Sequence, residues 1–449
     1  MTNCPDRIKF RVLLIDSSSG RILGSCRRTH DCILPLVFIP RWSRVAEQLQ
    51  AGIRRQLGVT SLVLDVASGD QSIPPLVVAQ TIGVPIGRSP MKFHWVHYSD
   101  LREDSFSMSE RRWIERLLSS GESGRGIYSR LNWISDVFEW IRSSTPFSVS
   151  EFQEIRQLNA SGHSALLCLK TDAGKRLWFK SDPREYGIAR ELSLRFPSYL
   201  PQCLARHDEW QAWVTEDAGR PLDSPSETRC SVIARELAKL QIDSSSQTDE
   251  LLSKGLQDLR PGSLRRALPE IVEQVYLSSR SCVWRHSRQT ALRSRMKRAQ
   301  DAISDILDVW EDLQIPHTLC HGDLNFGNVL FDRRRCVFVD WSEAAVGIPF
   351  VNFVQMRFQL SRASKDGSQA ESFSSAYLCE WSSQLTQRQL RRVIHLMPVV
   401  EAVTRLSSRH LWMSSRALSP AHVVMYSTAM LRLLEYVVSG SEIRLMKPG

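Results

Sequence analysis

The stretch that decides the fold runs from Cys320 to Ala344 and reads CHGDLNFGNVLFDRRRCVFVDWSEA. Two apolar runs, NVLF and CVFVDW, flank a tight polar turn at Asp332–Arg335. That pattern predicts a β-hairpin. Asn328 lies where the first strand begins and Asp340 where the second ends. A hairpin folds those two ends together. An amide oxygen and a carboxylate converging on one spot suit a hard divalent cation such as magnesium. Asp323 precedes Asn328 by five residues and sits in the loop before the hairpin. A carboxylate held there can accept a proton from a hydroxyl or orient that hydroxyl for attack. Asp and Asn are common loop residues, so the signal lies in the combination and its spacing.

HGDLNFGN followed by VDW resembles the catalytic segment of the aminoglycoside phosphotransferase family, within the protein-kinase-like fold. The interval from Asp323 to Asn328 agrees with the kinase pattern H-R-D-x-x-x-x-N, and VDW stands where D-F-G follows. The resemblance implies that Asp323 is the catalytic base, that Asn328 and Asp340 bind Mg²⁺, and that His321 braces the loop. It also implies parts upstream. RLWFKSD supplies Lys180 at a strand end, to face the α- and β-phosphates of ATP. ARELSL supplies Glu191 to hold that lysine, with Glu185 as the alternative. The loop over the phosphates reads LNASGHSA, with Ser161 and Gly162. VTEDAGRPL resembles the joint along the adenine, near Glu216 and Asp217, and IARELAKLQ a helix of the second lobe. The likeness covers about Glu151 to Val354, in order.

These parts imply an ATP- and Mg²⁺-dependent phosphotransferase acting on a small-molecule hydroxyl. Phosphoryl transfer needs in-line placement and positive charge on the transferring oxygens rather than covalent help. One departure opens a second reading. The family usually continues GDPxxD, and here Ile348 and Asn352 stand where acids are expected. The alternative is a pseudokinase that binds nucleotide and acts as a partner-binding module.

Working outward, the 449 residues are 42% hydrophobic and 24% charged, ordinary for a globular chain of two or three domains. FRVLLID and TSLVLDVA read as strands, and SRVAEQLQAGIRRQLGV between them as a helix closed by Gly58. Residues 1–118 therefore form a small α/β or α+β module. Its helix is faintly similar to that of Nudix hydrolases. Aligned on Gly58, the metal-binding acids would fall at Gly52, Arg55 and Gln56, none a carboxylate. Residues 119–146 read as a polar break and a tryptophan-rich helix. EFQEIRQL, ALLCLKT and RLWFKSD open a small antiparallel sheet over 147–222, and 223–449 is mostly helical. The expected class is α+β, a bilobal protein-kinase-like fold preceded by a small domain.

Formal net charge is +10. Leu264–Gln300 carries nine Lys/Arg against two Asp/Glu, with Trp284 and His286 among them. A solvated helix face explains this better than nucleic-acid binding, since no recognised nucleic-acid motif accompanies it. Glu343–Gly449 carries twelve Lys/Arg against seven Asp/Glu, which disfavours a polycationic acceptor. The expected acceptor is a neutral or anionic hydroxyl compound. The ten cysteines include no CxxC pair, which predicts neither a zinc site nor a disulfide framework. No apolar run has signal-peptide or membrane-spanning length, so a cytoplasmic, non-membrane protein is expected.

Overall fold

The apolar run at the start of the chain forms the middle of a mixed sheet. In the computed structural model the described residues are 7–16, 18–26, 32–40, 44–67, 74–82, 93–102, 106–121, 126–146, 152–222, 225–280, 286–332, 335–363 and 366–414. The chain divides into two units, Met1–Tyr186 with Gln202–Asp217, and Gly187–Pro201 with Ala218–Gly449.

The first unit opens with β1 (Arg7–Ile15), β2 (Ile22–Cys26), β3 (Cys32–Ile33), β4 (Leu36–Pro40), α1 (Val45–Leu57), β5 (Ser61–Ala67), β6 (Leu76–Thr81) and β7 (His94–Val96). β1 runs parallel to β6 and antiparallel to β2 and β4, and β5 closes on β6. α1 stops where Gly58 takes φ 71°, a left-handed cap that glycine adopts without strain. Its Gly52 packs against β4, where a Cβ would stand 2.7 Å from Val37. The cysteine expectation fails here, because Cys26 and Cys32 form a disulfide. β2 and β3 pair antiparallel and set the two residues directly opposite, a juxtaposition their spacing of six does not reveal.

Helices α2 (Met108–Ser120) and α3 (Trp133–Ser144) lead to a second sheet, β8 (Phe152–Ala160), β9 (Ala165–Thr171), β10 (Arg176–Ser181), β11 (Cys203–His207) and β12 (Ala212–Glu216). It is antiparallel in the order β11-β12-β10-β9-β8, with α4 (Tyr186–Arg195) inserted between β10 and β11. Strand alternation gives it two faces. Leu167, Leu169, Leu177, Phe179 and Val214 point one way, into one core with Leu13, Ile15, Ile114, Trp133 and Val137. The polar break after Leu118 is therefore not a break in packing. Residues before and after it share that core.

The second unit holds β13 (Arg220–Pro221), α5 (Glu227–Ser244), α6 (Thr248–Ser253), β14 (Gln257–Leu259), α7 (Pro261–Arg280), α8 (His286–Asp312) and β15 (Thr318–Cys320). It continues with the hairpin β16 (Val329–Asp332) and β17 (Arg335–Phe338), then β18 (Ala345–Gly347), α9 (Phe350–Ala363), α10 (Ser368–Trp381) and α11 (Gln387–Ser414). Val329 pairs with Phe338 and Asp332 with Arg335, the register the sequence predicts. A second small sheet, β14-β18-β15, flanks the same segment. The helices pack around Trp310, Phe350, Phe353, Phe373, Tyr377 and Trp381. The basic stretch falls on α7 and α8, where Arg265 pairs with Asp308 and Glu311, and Arg293 lies over the Tyr276 ring. Trp284 lies outside the described residues. Among the described residues no helix is long and apolar enough to cross a membrane. A five-stranded antiparallel sheet with one helix between its third and fourth strands, followed by a helical unit with a central hairpin, is an α+β, protein-kinase-like fold.

Candidate active site

β15 delivers the chain into the loop at His321, which is buried. The His321 backbone N–H donates to Asn352 Oδ1 at 2.9 Å. Its Nε2 lies 2.9 Å from the Val339 carbonyl, which can only accept, so Nε2 carries the proton. The ring also stacks obliquely on Trp341 at 4.4 Å. Burial holds the imidazole pKa below its ordinary value, so His321 is neutral near pH 7. It thus ties the loop to the end of the hairpin. Gly322 follows at φ 80°, and a Cβ there would lie 2.0 Å from the Glu343 carbonyl oxygen. Only glycine fits that crossing.

Asp323 is exposed, and two amides orient it. Asn328 Nδ2 donates to the Asp323 carbonyl at 2.8 Å and reaches Oδ2 at 3.4 Å. Asn325 Nδ2 donates to Oδ2 at 3.1 Å. Both amides address Oδ2, not Oδ1. Asn325 also accepts from the Gly327 N–H, which shapes the turn leading to Asn328. The Val339 N–H donates to the Asn328 carbonyl at 3.0 Å, so Asn328 and Asp340 stand at the mouth of one hairpin. Asp340 sits at φ 68°, a sparsely populated region for a non-glycine residue. The kink breaks the strand direction there. Among the described residues no group of three or more His, Cys, Asp or Glu side chains could hold a metal. Asn328 and Asp340 offer an amide oxygen and a carboxylate there, hard oxygens of the kind a magnesium ion takes.

A cavity of about 410 Å³ adjoins Asp323, with Glu343, Gln355, Gln359, Phe358 and Arg405 among its walls. Arg405 is ion-paired with Glu401, and Gln359 donates to the Leu324 carbonyl. The two departures from the family pattern line the loop's support. Asn352 is fully buried, accepts from His321 and donates to Gln355 Oε1 at 3.0 Å. The Ile348 carbonyl accepts from the Cys320 thiol.

On the first unit, β10 pairs Lys180 with Leu166 of β9 and Trp213 of β12. Lys180 therefore projects from the face opposite the core. Its ammonium lies 5.8 Å from the Trp213 ring centroid and is ion-paired with Glu185. The partner is thus Glu185, the alternative, where the sequence reading put Glu191 first. Glu185 is buried at the entry to α4, and Glu191 pairs with Arg195 one turn further on. Ser161–Ser164 is a tight two-residue turn. Ser161 N–H donates to the Ser164 carbonyl, and Ser161 Oγ accepts from the His163 and Ser164 amides. Trp178 Nε1–H donates to Asp217 at 2.9 Å, and the Glu216 N–H to the Gln202 carbonyl. Sequence reasoning missed Asn325, whose signal was its place two residues after Asp323. It also missed Glu343 and Gln355, which only folding brings to the cavity.

A chain with a strand-borne lysine paired to a glutamate, and an Asp-Asn-Asp set around a hairpin, has the architecture of the protein-kinase-like class. A model of the phosphotransferase enzyme family matches residues 177–391, just under half of the chain. No curated protein matches it. Among solved structures, it is similar to a choline kinase from Cryptosporidium parvum Iowa II (12% identity, TM-score 0.47, covering 70% of this chain and 98% of that one). It is also similar to choline kinase LicA from Streptococcus pneumoniae (16%, 0.44, 69% and 99%). An aminoglycoside phosphotransferase from Alicyclobacillus acidocaldarius subsp. acidocaldarius DSM 446 is comparable (15%, 0.41, 68% and 94%).

Proposed function

We propose that this chain moves the γ-phosphate of ATP to a hydroxyl of a small, uncharged polar molecule. One observation carries the reading: the Asn328 amide clasps Asp323 while its backbone closes the hairpin that ends at Asp340. A merely solvated loop has no need to gather those three residues. In this assignment Asp323 orients the acceptor hydroxyl and takes its proton. Lys180, held by Glu185, places positive charge on the phosphate oxygens. Glu216 and Asp217 flank the base, and Ser161 and Gly162 the phosphates. Asn328 and Asp340 would hold Mg²⁺, which supplies charge neutralisation to the phosphates when bound. His321 positions Asp323 through the loop and does not exchange protons.

The cavity refines the acceptor class. Among the described residues its charged walls apart from Asp323 are Glu343 and Arg405, and Glu401 already neutralises Arg405. The amides of Asn325, Asn352, Gln355 and Gln359 and apolar residues such as Leu259, Val351 and Phe358 make up most of the rest. This lining favours a neutral hydroxyl compound over an anion, and one carboxylate beyond Asp323 is meagre for a polycation. Against the pseudokinase reading speaks Asn352, which accepts from the His321 backbone as a carboxylate could.

ADP release with Mg²⁺-ATP, measured across neutral polyols, phosphorylated hydroxyl compounds and kanamycin-type polycations, tests the proposal. Neutral acceptors should turn over fastest. Asp323→Ala should lower kcat by about 10²–10⁴-fold. Acceptor-dependent turnover that survives this substitution unchanged would remove the assignment.

A further inference from the structure

We propose that residues 126–128, with Gln50 and Gln157, form a built-in brace that fixes the Ser161–Ser164 turn and so sets nucleotide affinity. The proposal rests on the assignment of that turn to the phosphates of ATP.

A two-residue hairpin tip is ordinarily solvated and mobile, yet Gly162 is buried. What buries it is another glycine. Gly126 takes φ 120°, and a Cβ there would lie 2.0 Å from the Gly162 carbonyl oxygen and 2.9 Å from its Cα. Two residues later the Tyr128 N–H donates to that same carbonyl at 3.2 Å. Backbone thus meets backbone, which glycine alone permits on the Gly126 side. Tyr128 cannot drift. Its ring is buried edge-on against Trp133 at 5.0 Å and Phe179 at 6.1 Å, and its hydroxyl donates to the Trp210 carbonyl. Phe179 is the neighbour of Lys180, so one tyrosine references both the turn and the lysine strand.

The same strategy continues down β8. An edge strand leaves a row of unpaired backbone groups, and β8 is the edge of its sheet. The Gln50 amide occupies part of that row, and the Gln157 side chain of β8 reaches out to the backbone of Val63 on β5. Gln157 Oε1 accepts from the Val63 N–H at 2.7 Å and its Nε2 donates to the Val63 carbonyl at 2.8 Å, as a strand partner would. Gln50 Nε2 donates to the Ile155 carbonyl, and Gln50 Oε1 accepts from the Gln157 N–H, both at 3.0 Å. Gln157 is 1% exposed and Gln50 9%. Glu47 adds an ion pair with Arg156. The first 146 residues therefore do more than extend the core. They hold the loop that addresses ATP, and none of these bracing residues belongs to the catalytic set.

The test uses the full chain. Gly126→Ala should raise the KM for ATP about tenfold, the effect of one lost hydrogen bond to the nucleotide, with kcat and acceptor KM within about twofold. Gly121→Ala is the control, since Gly121 has φ 72° with no atom within 4 Å of a Cβ. It carries a milder, left-handed backbone strain, against the φ 120°, ψ 167° of Gly126, without the contact, and should leave the KM for ATP alone. A folded Gly126→Ala variant with wild-type KM for ATP overturns the brace. Hydrogen exchange of the wild-type His163 and Ser164 amides supplies a measurement independent of any variant. Protection comparable to β9 supports the brace, and exchange at the rate of a free hairpin tip overturns it. ATP titration of the wild type separates the two claims: no binding at all defeats the phosphotransfer reading, whereas binding indifferent to Gly126→Ala defeats only the brace.

Discussion

At the scale of the residue, Asn352 shows how much a single atom decides. An aspartate at that position is the family expectation, and the change to asparagine looks like a loss. In place, Asn352 makes two hydrogen bonds that need its two different ends: Oδ1 accepts from His321, and Nδ2 donates to Gln355. An aspartate keeps the first bond and turns a second acceptor toward Gln355 Oε1, in a fully buried setting. Asn352→Asp should therefore lower stability by about 1–3 kcal/mol, read as a shift of the urea midpoint at pH 7. A variant as stable as the parent would mean that another group answers the carboxylate. Asp323, Asn328 and Asp340 stood out in the sequence by spacing and residue type, and Lys180 and His321 through the family resemblance. Glu185 against Glu191 was not decidable that way. Glu185 immediately precedes α4 and Glu191 lies in its middle, and the choice depends on which of them the helix turns toward Lys180.

At the scale of the element, the hairpin was readable because its alternation and polar turn are local signals. The sheet β14-β18-β15 was not. Its strands are three residues each, too short for a period to register. What fixes the segment between β18 and α9 is equally non-local. Gln241 of α5 donates to the Pro349 carbonyl at 2.8 Å and accepts from the Tyr377 hydroxyl of α10 at 2.6 Å. Three elements meet on one buried amide. Tyr377→Phe leaves Gln241 Oε1 without that donor and should cost about 1–3 kcal/mol. Thermal unfolding monitored by circular dichroism measures it, and an unshifted transition would show that the hydroxyl is dispensable.

At the scale of the whole molecule, pH acts through two histidines, His321 buried and His317 half-buried. Burial lowers the pKa of both His321 and His317, the latter helped by Arg260. A depressed folded pKa means the unfolded chain binds protons first. Both contributions are fully present above the unfolded histidine value of about 6.5 and are lost as pH falls toward the folded values. The slope approaches about 1.4 kcal/mol per pH unit for each histidine. Glu401, whose carboxyl pKa burial pushes up, works in the opposite sense and only nearer its own range. The denaturation midpoint should accordingly drop between pH 7 and pH 5. A flat profile across that interval would contradict the neutral state of these two rings.

Sequence alone determined the class of fold and the candidate groups of the site, because motif spacing, strand alternation and helical periodicity are written within a few residues of one another. Tertiary structure decided the rest: the partner of Lys180, the Cys26–Cys32 bond, the walls of the cavity beside Asp323, and the merging of the first region with the five-stranded sheet into one core. Each of these joins groups distant along the chain or equivalent by spacing. Only packing, which fills space without regard to sequence order, selects among them.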